Sequence, residues 1–381
     1  MRPSPGSMKA LAASLLVLGA CSQDRQVGEL FPHTGSGGAS AGPGGVTSSS
    51  SAAHGTGTGT GGSISFGTGT GGSTMAGGNF VWGCGGSVPG QPQTVAAGAK
   101  GSLIVALLGD ILWVDQGKNG EDGTLSRLYA IPISCAIGTS WDLGLAQVDG
   151  LAADPLAAHL AISDIADRIT RQPIDGSSSS SLAVGSSKHD GIAADAAFVY
   201  FTSAIDGTVS EVPVGGGPVT VLAAGEHEPT SVAVSATSVF WTNRATGEVR
   251  EMPKAGGALM TIASAIGTPT SIVSAPDGVY WIEQSTSFTA SDGAIRKRPS
   301  AGGAAVTVAS GLAYPEHLAV DAAHAYWTDQ VAGTLARAPV GGGAVEVMAT
   351  GQCQPGSIAL ESGFVYWVEY DKRLLLRLPT M

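Results

Sequence analysis

Tyr326-Trp327-Thr328-Asp329 decides the fold, because the chain keeps rewriting it. Variants stand at Leu112-Trp113-Val114-Asp115, Tyr200-Phe201-Thr202-Ser203, Phe240-Trp241-Thr242-Asn243, Tyr280-Trp281-Ile282-Glu283 and Tyr366-Trp367-Val368-Glu369. A degraded copy is Ala161-Ile162-Ser163-Asp164. The aromatic position thus falls at 113, 162, 201, 241, 281, 327 and 367, with spacings of 49, 39, 40, 40, 46 and 40. A period near forty, filled with short strands, marks one supersecondary unit repeated around an axis.

Each unit reads as four strands. An apolar run such as Ser231-Val232-Ala233-Val234 comes first and the aromatic strand second. A third strand resembles Thr208-Val209-Ser210-Glu211-Val212-Pro213, and a fourth Thr307-Val308-Ala309-Ser310. Alternation within the runs fits half-buried strands, and glycine or asparagine between them fits hairpins. A proline closes the third strand at 132, 173, 213, 253, 299, 339 and 379. Proline cannot donate into a ladder, so it belongs at a strand end. Two markers therefore count seven units.

The last unit stops at Leu378-Pro379 without a fourth strand, whereas an orphan, Thr94-Val95-Ala96-Ala97, precedes the first. The two complete each other. The expected fold is an all-β, seven-bladed β-propeller over residues 80–381, closed by an N-terminal strand so that no sheet edge stays open at the join. The repeated Tyr-Trp-Thr-Asp resembles the YWTD-type propellers and, more loosely, NHL and TolB-like propellers. YWTD propellers typically have six blades, so the count departs from theirs. The resemblance implies fold and leaves function open.

Ahead of this domain, Lys9 leads into an apolar run ending Leu18-Gly19-Ala20-Cys21. The layout is that of a secretion signal over residues 1–20, too short to span a bilayer as a helix. Its last four residues resemble a lipobox, which implies lipidation of Cys21 and, with Ser22 next, an outer-membrane location in a bacterial envelope. Residues 21–79 then form a tether that is almost all Gly, Ser, Thr and Ala between 34 and 78. Without an apolar face such a segment is expected to be disordered.

The chain carries 19 basic and 30 acidic residues, a formal charge of −11. That field repels polyphosphate and excludes nucleic acid as a partner. Within the repeat region, residues 80–381, no G-x-S-x-G, H-E-x-x-H, P-loop or C-x-x-C occurs. No catalytic residue is therefore assigned, and a monomeric binding module is the expectation.

Candidate site residues come from departures within the repeat. From aromatic position to proline, four units use 12 residues, but the first uses 19 and the fifth 18. The extra residues include Asn119, Glu121, Asp122 and Phe288, and function usually sits on loops that leave a rigid scaffold. The loop leading into each unit lies on the same face. Three such loops carry His189-Asp190, Glu226-His227-Glu228 and Glu316-His317. Imidazole beside carboxylate can bind a divalent metal or move protons. These loops resemble virginiamycin B lyase-like propellers, and a metal-assisted lyase or hydrolase of the propeller type is the alternative to a module holding a protein, glycan or small ligand. The tryptophans are read as packing between blades, and the polar residues closing the aromatic strands as hydrogen-bond acceptors. Cys84 and Cys135 are expected to form a disulfide on the opposite face, leaving Cys353 free.

Overall fold

The computed structural model describes residues 17–18, 81–82, 91–97, 101–107, 110–115, 127–132, 139–143, 145, 148–154, 159–164, 168–174, 177–184, 190–264, 267–370 and 372–381. A separate unit, residues 23–69, lies wholly outside them. So do Cys21, Cys84, Asn119, Glu121, Asp122, Cys135 and His189.

Every regular element among the described residues is a β-strand, and the strands are hydrogen-bonded into seven antiparallel sheets. The fourth is typical: Pro229–Val234, Ser238–Asn243, Glu248–Pro253 and Met260–Ala263 lie side by side in chain order. The innermost strands meet in sequence around a circle, and that of the seventh sheet meets that of the first. This is a β-propeller. Six of the seven sheets carry an aromatic residue at the repeated position, and the second carries Ile162 instead.

The circle is closed by sequence-distant strands. Gln93–Ala97 pairs antiparallel with Leu374–Pro379, Thr94 opposite Leu376 and Ala97 opposite Leu374. Val81–Trp82 adds a further short strand outside it, so the seventh sheet has five. The second sheet also has five, because Val17–Leu18 pairs with Leu151 and Ala152.

Burial follows the position of a strand within its sheet. Second strands are covered on both faces by neighbouring sheets, and Ser238–Asn243 is buried at every residue. Trp113, Trp241, Trp281, Trp327 and Trp367 are at most 1% exposed, so their rings fill the wedges between sheets and form no open cage. Outermost strands have only one protected side, as the exposed Val221 and Val347 show. Their hydrogen-bonding edge is bent by a register shift between third and fourth strands, at Val209/Ser210, Val249/Arg250 and Leu335/Ala336. A bulge at that place twists the edge away from would-be partners.

Polar stitches join sheets on the side where first strands turn into second. Tyr200 donates its hydroxyl proton to Asp195, and Lys254 from the next sheet reaches the same carboxylate at 2.6 Å. Tyr280, Asp277 and Lys297 form the same trio within the fifth sheet, from which Lys297 also reaches Val340 O of the sixth at 3.5 Å, and Tyr326 donates to Asp321 within its own sheet. Burial and the adjacent carboxylates push these tyrosine hydroxyls above their ordinary range.

The closing strand belongs to the core, since Val95 is 3% exposed. Val95→Asp is expected to cost about 3–5 kcal/mol in urea unfolding, as an unpaired buried charge does. Val221→Asp on an outer edge should stay within about 0.5 kcal/mol of the parent. Equal losses for the two variants would exclude a structural role for the closure.

Candidate functional site

The loops leading into each sheet and the turns between second and third strands share one face, here called the mouth face. They are hydrogen-bonded to each other within a sheet: Arg244 N donates to Glu228 O at 3.0 Å, and Gln330 N to Tyr314 O at 3.1 Å. They also clasp across sheets, with Glu226 N donating to Gly207 O and Gln352 N to Gly333 O, both at 3.0 Å. The clasp explains the glycine ending these turns. A Cβ on Gly207 would lie 2.5 Å from Glu226 O, and one on Gly333 would lie 2.8 Å from Gln352 O. Both glycines have φ near +60°, which other residues adopt at a cost.

Behind this face, three of the first strands begin with a buried proline, Pro229, Pro315 and Pro355, set opposite the polar residue that closes the aromatic strand. Glu228 and Gln354 precede two of these prolines with φ of 55° and 50°. Such left-handed residues are strained and hold the loop in one shape.

The expected site residues divide sharply by environment. Glu226 is buried and accepts protons from Trp241 Nε1 at 2.9 Å and Asn243 Nδ2 at 2.6 Å. Gln352 does the same for Trp367 in the seventh sheet, at 2.9 Å. Glu226 therefore orders the core. Asp190 is buried and accepts from Ala204 N at 2.7 Å, fixing the turn above it. His227 and Glu228 are exposed, and Glu228 pairs with Arg244 at 3.0 Å. Glu316 is half-buried, whereas the neighbouring His317 is 4% exposed.

His317 sits in a tight seam. It pairs across its sheet with Thr328, as Ser231 does with Thr242 and Gly191 with Thr202. A Cβ on Gly191 would lie 2.8 Å from Thr230 O of the next sheet, and Ser231 Oγ accepts Ile272 N of its next sheet at 3.3 Å. The sixth sheet places an imidazole where its neighbours have small residues. Burial drives its pKa down to about 4, so the ring is neutral near pH 7. Among the described residues, no group of three or more His, Cys, Asp or Glu is placed to hold a metal ion.

The strand-end polar residues act as acceptors. Asp329 receives the backbone N–H groups of Ala313, Tyr314 and Ala332 at 2.9–3.0 Å, and Glu369 receives that of Cys353. Cys353 is a free, half-buried thiol.

Sequence reasoning picked out Phe288 but missed its neighbours. Phe288 stacks on Tyr314 with ring centroids 4.4 Å apart and planes 29° apart, yet remains 42% exposed. Ile205 and Val331, at the tips of the equivalent turns in the third and sixth sheets, are 74% and 44% exposed. The available signal was an aliphatic residue in a turn, where Asn, Asp, Ser and Gly dominate. Asp149 was also missed. Asp149-Gly150 begins the second sheet as Asp190-Gly191 begins the third, but the eroded aromatic strand hid the correspondence.

No known protein family matches the chain, and no curated protein sequence matches it. Its fold is similar to that of solved structures. A streptogramin B lyase aligns with a TM-score of 0.61 at 13% identity, covering 73% of this chain and 93% of the lyase. A Kuenenia stuttgartiensis hydrazine synthase chain gives 0.61 at 12% identity, covering 77% and 99%. The computationally designed Ika8 protein gives 0.51 at 14%, covering 72% and 82%. At such identities the likeness is one of fold.

Two measurements test the assignments. Glu226→Ala leaves two buried donors unpaired and is expected to cost about 2–3 kcal/mol, whereas Glu226→Gln, which copies Gln352, should keep most of the stability. A loss as large for glutamine as for alanine would sink the structural role. For His317 the folded pKa lies below the unfolded one, so the unfolded chain binds the extra proton between about pH 6.5 and 4. Stability is therefore complete above pH 6.5 and falls by about 3 kcal/mol as pH drops to 4. His317→Ser should flatten that part of the melting-temperature profile; an unchanged slope would assign it to other groups.

Proposed function

We propose that this protein is an envelope lipoprotein, held through Cys21 and the segment that follows it, whose propeller is a binding or scaffold module working at its mouth face. The observation that carries the reading is the exposure of Ile205, Phe288 and Val331 on turns of that one face. Aliphatic and aromatic tips held out by a rigid ring cost solubility and fit a surface built for contact. Several mouth-face carboxylates, Glu226, Asp329 and Glu369, are already engaged in holding indole or backbone N–H groups.

The alternative is a metal-assisted lyase or hydrolase in which the loop histidines and carboxylates share an ion. The opposite environments of His227, in solvent, and His317, inside a seam, weigh against it.

Site-specific photo-crosslinking in cells tests the binding reading. A photoreactive side chain at position 205 or 331 should yield discrete adducts, whereas the same group at rim positions 221 or 347 should not. Adducts confined to the rim, or absent from the mouth face, would overturn it.

A further inference from the structure

The corner of the mouth face between the fifth and sixth sheets is more elaborate than its counterparts. The turn carrying Phe288 spans six residues more than the standard unit and is braced at both ends. Thr286 donates its N–H and hydroxyl proton to Asp292 at 3.0 and 2.7 Å, and Ser285 donates to Leu312 O at 2.9 Å. At the tip, Ala290 N donates to Ser287 O at 3.2 Å. One face of the Phe288 ring rests on Tyr314, which is only 8% exposed. The Tyr314 carbonyl in turn receives Gln330 N, which sets the Val331 turn beside the aromatic pair. A phenyl ring is thus fixed in place with part of its surface in water and an aliphatic tip next to it.

The charge around this corner is one-sided. Asp292 belongs to the Phe288 turn itself, Glu316 follows Tyr314 by two residues in the chain, and the cation Arg296 is already paired with Glu283 at 3.1 Å. Its hydrogen bonds from Thr286 hold the exposed Asp292 carboxyl below its ordinary range, so it is ionised at neutral pH. The whole chain adds a formal charge of −11. An exposed aromatic face on a turn that carries a carboxylate, in a chain of net negative charge, attracts cations through the ring quadrupole and the field together.

Resting on the mouth-face reading above, we propose that this corner docks a basic segment of a partner protein, with an arginine or lysine side chain lying over the free face of Phe288 beside Asp292 and Glu316. Val331 supplies the apolar contact that turns attraction into a defined footprint. The braced loop lowers the ordering cost on binding. An acidic or phosphate-rich partner is repelled by the same field.

The test uses the full chain and three probes: a labelled decapeptide with four arginines spaced by glycine and serine, its glutamate counterpart, and uncharged chitotetraose. Fluorescence anisotropy and calorimetry at two salt concentrations give the affinities. Saturable binding of the arginine peptide alone is expected. Phe288→Ala and Phe288→Leu should each weaken it by roughly three- to thirtyfold, the range of cation–π contacts, while Phe288→Trp retains it. Glu316→Gln should weaken it and reduce its salt dependence. Melting temperatures should barely move, because Phe288 is partly exposed. Absence of saturable arginine-peptide binding overturns the proposal. So does binding indifferent to Phe288, which is general charge attraction, and so does Phe288-dependent capture of chitotetraose in place of the peptide, which makes the corner a glycan platform. Crosslinks from positions 205 and 331 would survive each of these failures, so the proposal can fall while the mouth-face reading stands.

Discussion

Everything in this domain depends on one ladder of backbone hydrogen bonds, between Gln93–Ala97 and Leu374–Pro379. Each sheet buries its second strand only because a sheet stands on either side of it. A circle left open would expose the faces at the gap and leave strand edges unsatisfied. Closure through backbone pairing makes the first and last parts of the chain one sheet. Side chains reinforce it: Arg377 Nε donates to Gln93 Oε1 at 3.0 Å, and Val95 and Ala96 enter the same apolar cluster as Trp367 and Leu375.

The frame in turn limits what the polar residues can do. A carboxylate at the end of an aromatic strand lies where turn N–H groups converge, so Asp329 and Glu369 serve backbone donors. Glu226 looks from the sequence like a partner for His227, yet the register aims it inward at an indole while the histidine beside it faces solvent. The mouth face therefore presents mainly side chains at turn tips, beyond the reach of the inner network. That division leaves recognition to Ile205, Phe288 and Val331 and structural order to the acids beneath them.

The fold was readable because its units repeat: the aromatic strand and the closing proline each mark the period, and the orphan strand before the first unit matches the gap in the last. The second unit needed the period itself, since Ile162 alone carries no aromatic signal. The candidate site was read less completely. Residue type and loop assigned Glu226 and His317 to a shared pocket, but the direction of a side chain depends on register, and a one-residue change in a strand reverses its face. His317 lies in a seam because its partner across the sheet is Thr328, a relation that only pairing reveals. The exposed tips escaped notice because a single aliphatic residue in a turn is unremarkable until its neighbours in space are known.

The order in which the closing strands are made has a consequence for biosynthesis. Gln93 and Arg377 touch, yet 284 positions separate them, so a ribosome releases one edge of the seventh sheet long before its mate exists. Until that mate has been made, the early segment has nowhere to dock, and six finished sheets stand as an unsealed arc. Any truncated product shares that unsealed state permanently, with bare edges ready to pair with another copy. Quality control in the cell thus meets an all-or-nothing object, in which the seventh sheet decides whether the preceding ones are protected.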